Sequence, residues 1–427
     1  MHEFARSLFP ICRSITGPGF RETMARVEER IPVEVHEVPS GTAAFDWVVP
    51  REWRIRDAYV KDAGGCRVID FQECNLHVVG YSVPVQARMT LDELRPHLHT
   101  LPDKPDWIPY RTSYYTDAWG FCLTQRALDA LIESTAEGAE FEVCVDSTLE
   151  DGALTYAECL LPGSSTEEVL ISCHACHPSL ANDNLSGMAV AVALAQLLGG
   201  VARRYSYRFV FIPGTIGSIV WLSRNEEAAA RIRHGLVIAN VGDPGDLHYK
   251  KSRRGDAEID RAVGYVLGLH ARRHVIEEFS PYGYDERQYC SPGFDLPVGS
   301  LTRTPFGRYP EYHTSADNLD FIEPAALEDS LAAYLRVFEV LEGNGRYVNR
   351  LPKCEPQLGK RGLYRAIGTT PGDRTPEMAL LWVLNQSDGE HTLLDIAVRS
   401  GLPFAAIRTA ADALLEHGLL GESDPQG

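Results

Sequence analysis

The stretch VLISCHACHPSLANDNLSGMAVAVALAQLL, residues 169–198, decides the architecture. Its apolar opening, Val169 to Ser172, reads as a buried strand that runs straight into His174 and His177. Nine residues after His174 comes Asp183, within Asn182-Asp183-Asn184-Leu185-Ser186-Gly187, and a helix of small and aliphatic residues follows. Imidazoles and a carboxylate at a strand end and the next helix start are a donor set for a borderline metal such as zinc. Tyr312-His313-Thr314-Ser315-Ala316-Asp317-Asn318 offers a further ligand of the right kind in His313. Asp183 has a second use open to it, capping the helix that begins near Leu185.

Outward from this stretch the chain alternates. A helix over 124–136 precedes strands FEVCVDS, LTYAECLLP and VLISC; a helix over 185–199, strand YRFVFIP, a helix over 217–229, strand LVIANV and helices over 256–270 and 324–342 follow. That order predicts an α/β fold, a mostly parallel sheet flanked by helices, with ligands beyond the strand carboxyl ends. Residues 1–40 read as one amphipathic helix and the extended VEVHEV, and belong with 124–350. Residues 41–123, richer in Pro, Trp and Tyr, read as an inserted β-rich subdomain. After Pro352, residues 355–427 have the texture of a winged helix: three helices, a turn at Gly401-Leu402-Pro403 and a short strand.

At 427 residues the chain exceeds one ordinary core. No apolar run is long enough for a membrane span, and the start lacks the pattern of a secretory signal, so a cytoplasmic protein with no membrane partner is expected. Ten scattered cysteines fit reduced thiols there. Cys173-His174-Ala175-Cys176-His177 matches the c-type haem pattern, but haem attachment needs export, and the two cysteines read as small packing residues. The net charge of −18 argues against nucleic acid as a partner. The tail sharpens this, since residues 375–427 hold two arginines against eight acidic residues. Intramolecular docking, a homo-oligomer or a protein partner is the expected use of that domain.

Asp-Asn-x-Ser-Gly after a strand-borne His, followed by Tyr-His-Thr-x-x-Asp, resembles the zinc aminopeptidase clan, which includes glutamate carboxypeptidases and glutaminyl cyclases. More closely, the chain resembles a family of aminopeptidase-like proteins of undefined function, often encoded near polysaccharide biosynthesis genes. LFPICRSITG, SGTAAFDWVVPREW, IPYRTSYYTDAWGFC, CHPSLANDNLSG, YDERQYCSPG and YPEYHTSADN carry that resemblance over residues 8 to 320. It implies zinc held by His174 or His177, Asp183 and His313, and hydrolysis or transfer at an amide bond next to a free amine in a peptide or small molecule.

Two departures qualify that expectation. Cys176 stands where the clan has an Asp that orients the first His. Pro213-Gly214-Thr215-Ile216-Gly217-Ser218 has Gly214 where the family resemblance implies a Glu general base, and Thr215 where the clan has a zinc ligand. A glycine cannot take a proton from water. Glu311 and Glu286 are the alternative catalytic carboxylates, and one zinc is expected rather than two. Asp243 is either a ligand or the opening of a turn before Pro244. Arg253, Arg254 and Arg287 suit a substrate carboxylate or phosphate, and Tyr284, Tyr289 and Tyr312 suit a pocket wall. The rival expectations are a non-catalytic protein that keeps the metal pocket and a glutaminyl-cyclase-like acyl transferase.

Overall fold

The computed structural model describes residues 1–270, 273–363 and 374–422. They form two compact units, the described residues within 1–260 and 270–333, and those within 261–269 and 334–422. In the first, an eight-stranded sheet runs in the order Glu34–Pro39, Ala153–Leu161, Ser206–Ile212, Glu168–His174, Ile232–Ile238, Val298–Thr302, Leu247–Lys250, His274–Glu277. The four strands from Ser206–Ile212 to Val298–Thr302 are mutually parallel, while Ala153–Leu161, Glu34–Pro39 and Leu247–Lys250 pair antiparallel to their inner neighbours. The sheet is therefore mixed, with a parallel block at its centre. Every residue of Glu168–His174 and Ser206–Ile212 is buried, as strands covered on both faces require.

The central strands carry charge at one end and imidazole at the other. At the N-terminal end, buried Glu168 takes bonds from Arg208 at 2.6 and 3.1 Å and from Arg231 at 2.8 Å, and Arg208 also reaches Glu158. At the other end the strand stops at His174. The helix Gly187–Gly199 packs back on the sheet, and Gly187 allows this, since a Cβ there would lie 2.7 Å from the Ile238 carbonyl.

Some elements differ from the sequence expectation for local reasons. The N-terminal helix is two, His2–Leu8 and Pro18–Glu28, separated by a segment holding Pro10 and Gly17. The helix expected over 217–229 breaks at Asn225, whose side chain caps the Trp221 carbonyl, giving Ile216–Arg224 and Glu226–Ala229. Glu140–Glu150 joins a separate antiparallel sheet, ordered Arg67–Asp70, Glu52–Lys61, Glu140–Glu150, Val85–Thr90. Its alternating burial fits a sheet with one wet face. From this subdomain a loop reaches the sheet's carboxyl end: Ile108 and Ser315 exchange bonds at 3.0 and 2.8 Å, and Tyr110 N–H donates to the His313 carbonyl at 2.8 Å.

The second unit is a winged helix. Helices Thr375–Gln386, Leu393–Ser400 and Phe404–Glu416 accompany an antiparallel sheet in which Arg346–Asn349 lies between Asp388–Thr392 and Leu420–Glu422. Its sheet thus draws in residues ahead of position 355. Thr392 and Asp395 close a capping box, and Gly401 ends the middle helix in the left-handed region at φ 69°. No helix among the described residues is long and apolar enough to cross a membrane. Because phosphate neutralisation dominates DNA affinity, the full chain is predicted to leave duplex DNA unshifted in a low-salt gel assay. Micromolar, salt-sensitive retardation would contradict this.

Candidate metal centre

The turn after the Glu168–His174 strand brings its side chains onto one carboxylate. His174 Nε2 lies 2.7 Å from Asp183 Oδ1, His313 Nε2 lies 3.1 Å from Oδ2, and His177 Nε2 lies 3.9 Å from Oδ2. Ligand atoms of His174, His177 and Asp183 all lie within 4.8 Å of one another. Two imidazoles and a carboxylate oxygen this close match the donor types and span of a tetrahedral zinc site, and His313 can add a fourth. His174, His177 and Asp183 are buried, whereas the His313 side chain is 33% exposed and marks the mouth. Asp183 does not cap the following helix; both of its oxygens face histidines.

Electrostatics keep this set ready for a cation. Burial pushes the Asp183 carboxyl up, but His177, His174 and His313 hold it well below the usual carboxylate range. Burial pushes the His177 imidazole down to about 3, so it is neutral and can offer a lone pair.

The loop that carries Asp183 is held by three side chains. The Asp317 carboxylate accepts from Asn182 N–H at 2.5 Å and Asp183 N–H at 3.0 Å. Asn182 donates to Asp243 at 3.1 Å and accepts from Gly242 N–H. Asn184 bridges the His174 and Ile238 carbonyls at 3.1 and 3.0 Å, tying two strand ends together. Asp243 is thereby a turn residue, its Oδ1 accepting from Gly245 N–H at 2.8 Å.

Of the other sequence candidates, Tyr312 stacks on His313 with ring centres 3.9 Å apart. Glu311 is half-buried, and its carboxylate makes no hydrogen bond or ion pair among the described residues. Glu286 is buried and bound to Lys250 Nζ at 2.6 Å. Arg253 and Arg254 both pair with Asp295, and Arg287 is half-buried with its Nε unpartnered. Tyr289 lies in the core, its hydroxyl 3.0 Å from Ser172 Oγ and its ring against Trp221. Cys173 and Cys176 are buried free thiols.

Arg13, Tyr110 and Asp285 were not singled out from the sequence for the roles they have here, while Tyr284 takes its expected place as a wall of the pocket. Fully buried Arg13 donates through Nε and Nη2 to the His177 carbonyl at 3.1 and 3.0 Å and through Nη1 to Leu8. Burial lowers its pKa to about 10, so it stays charged. Tyr110, from the inserted subdomain, packs edge-on against His177 and His313 at 5.3 and 5.0 Å. Tyr284 lies over His174 at 4.0 Å, and burial keeps its phenol protonated. Asp285, fully buried, accepts from Ser218 Oγ at 2.9 Å through one oxygen and leaves the other unpartnered. For Tyr110 the sequence signal is the density of aromatic residues in IPYRTSYY.

Burial pushes the Asp285 carboxyl up to about 7. Between about pH 4 and about pH 7 the native state therefore holds a proton that an unfolded aspartate has released, and stability from this group falls as pH rises through that window. Asp285→Asn is predicted to flatten the decline in melting temperature over that range; an unchanged slope would mean that Asp285 is ionised in the fold.

Comparison with known proteins agrees with this architecture. Residues 2–344 match the family model described as a domain of unknown function, DUF4910, and residues 345–422 match a winged helix-turn-helix. A Clostridium acetobutylicum protein is 52% identical over 420 residues, covering 98% of this chain and 95% of its own; its name describes a polysaccharide biosynthesis protein with an aminopeptidase-like domain. A crystal structure described as a peptidase from the same organism superposes with a TM-score of 0.92 at 51% identity, covering 99% of this chain and 95% of the other. A zinc aminopeptidase from Bacillus subtilis shares the fold alone, with a TM-score of 0.55 at 12% identity over 80% of this chain and 94% of its own.

Proposed function

From the premise that this chain belongs to the DUF4910 family, we propose that it is a metal-dependent protein of amide chemistry, with one zinc held by Asp183, His313 and either His174 or His177, and one position left open. The observation that carries this is the buried Asp183 carboxylate, ringed by three imidazoles at the carboxyl end of the central strand. Zinc bound there supplies Lewis acidity toward a carbonyl. The chain's own residues do the rest. Arg13, Asp317 and Asn184 fix the ligand loops, Tyr110 and Tyr312 wall the mouth, and the half-buried Glu311, next to Tyr312 in the chain, is the candidate base. Glu286, already neutralised by Lys250, is the weaker base, and Arg253 and Arg254 are occupied by Asp295. The substrate in this reading is a peptide or small molecule with an amide near a free amine. The relative's name adds a setting, polysaccharide biosynthesis, which we extend to this chain, acting in the cytoplasm and without nucleic acid.

A second reading rests on Gly214. With no side chain at that turn, a protein that binds an amide without cleaving it fits the same pocket.

Elemental analysis of the purified full chain should give about one zinc, three ligands and one open position being at hand, and Asp183→Asn, which preserves shape, should remove most of it. Equal zinc in both would rule out the ligand assignment. For the catalytic part, the native chain is expected to hydrolyse amine-terminated amides weakly, and Gly214→Glu to raise turnover by up to about 10²–10⁴-fold at unchanged zinc. A Glu there has to displace Tyr284, so Gly214→Glu/Tyr284→Ala is the companion variant. If none of the three proteins hydrolyses any member of a broad panel, the binding reading replaces the hydrolytic one.

A further inference from the structure

Gly214 and Tyr284 compete for one space. A Cβ built on Gly214 would fall 2.2 Å from Tyr284 Cε1 and 2.6 Å from its Cζ and hydroxyl oxygen, so any side chain at 214 would push the ring away. The ring is held where it is from both sides. Tyr284 N–H bonds the Glu286 carboxylate, which Lys250 anchors, and the neighbouring Asp285 is tied to Ser218 on the helix that starts just after Gly214. On its other side the ring lies over His174. Among the described residues its hydroxyl has a single hydrogen-bonding neighbour, the Cys176 thiol at 3.9 Å. Tyr284 is partly buried, and a tyrosine packed from both sides normally bonds an oxygen or nitrogen.

We propose that Tyr284 is the ligand-facing hydrogen-bond donor of this site, that Gly214 is the residue that admits it, and that its partner is the carbonyl oxygen of the amide held against the histidines. The inference rests on the proposed function and names the part of the substrate that this side of the pocket grips. A phenol O–H donates to a carbonyl oxygen, whereas a carboxylate in the same space would accept. The Gly214–Tyr284 side of the site is therefore built to hold a carbonyl oxygen rather than to take a proton from water.

The test uses the zinc-loaded full chain and acetohydroxamic acid, a small carbonyl-bearing zinc ligand, with Kd read by calorimetry. Tyr284→Phe removes only the O–H and should weaken binding about threefold to tenfold, the worth of one hydrogen bond, at unchanged zinc content. Gly214→Ala, which displaces the ring, should show a similar loss, and the double variant no further one. Tyr284→Phe binding as tightly as the unaltered chain, or losses that multiply in the double variant, would overturn the inference while leaving the zinc reading standing. A full chain that takes up no zinc overturns the proposed function, and the ligand role of Tyr284 with it. Melting of the metal-free chain checks the shared space separately. Gly214→Ala should lower the melting temperature and added Tyr284→Ala should restore it; no restoration would also overturn the inference.

Discussion

A negative charge kept ionised inside the protein is the constraint on which this structure turns. Burying a carboxylate is costly unless partners replace its water. Asp183 meets that cost with His174, His313 and the nearby His177, gathered from a strand end, the turn after it and a loop far along the chain. Each of those segments needs its own support. The Asp317 carboxylate holds the backbone of Asn182 and Asp183, and the Asn184 amide ties the His174 strand to its neighbour at Ile238. The parallel block at the centre of the sheet places these strand ends side by side, so sheet order and site geometry are one constraint.

Segments outside the α/β core complete the arrangement. Arg13 enters from the N-terminal region and spends its guanidinium on the His177 and Leu8 carbonyls. A charged donor is a strong partner for a carbonyl in a dry place, which suits a loop whose position sets an imidazole. Tyr110 enters from the inserted β subdomain, whose loop is laced to residues 313–315 through backbone bonds. The insertion is thus part of the wall of the site. Its long strand Glu140–Glu150 follows the helix Gln125–Ser134 in the chain yet pairs inside the inserted sheet, so the subdomain is closed by residues from beyond position 123.

The carboxylates of the chain show how environment divides one residue type into several roles. Asp183 is ionised among histidines, Asp317 serves backbone N–H groups, Asp243 makes a turn, Glu286 neutralises a lysine, and Asp285 is buried with one oxygen idle. Type and position in the sequence do not separate these. Asp317 lies four residues after His313, and from that spacing an orienting partner for His313 is the natural expectation. It instead serves a loop more than a hundred residues earlier.

What the sequence determined by itself is whatever depends on neighbours along the chain. The apolar run before His174, the small-residue helix after Gly187, the alternation of strands and helices, the acidic winged-helix tail and the residue types His174, His177, Asp183 and His313 were all legible, because periodicity and residue chemistry are local. Tertiary structure decided which side chains face each other. It turned Tyr289 into the core, put Tyr284 into the space left by Gly214, gave Arg253 and Arg254 to Asp295, and brought Arg13 and Tyr110 to the histidines. It also placed antiparallel strands outside the parallel block. The physical reason is the same in each case: hydrogen-bond partners and strand neighbours are set by packing between segments distant in sequence, and no local pattern records them.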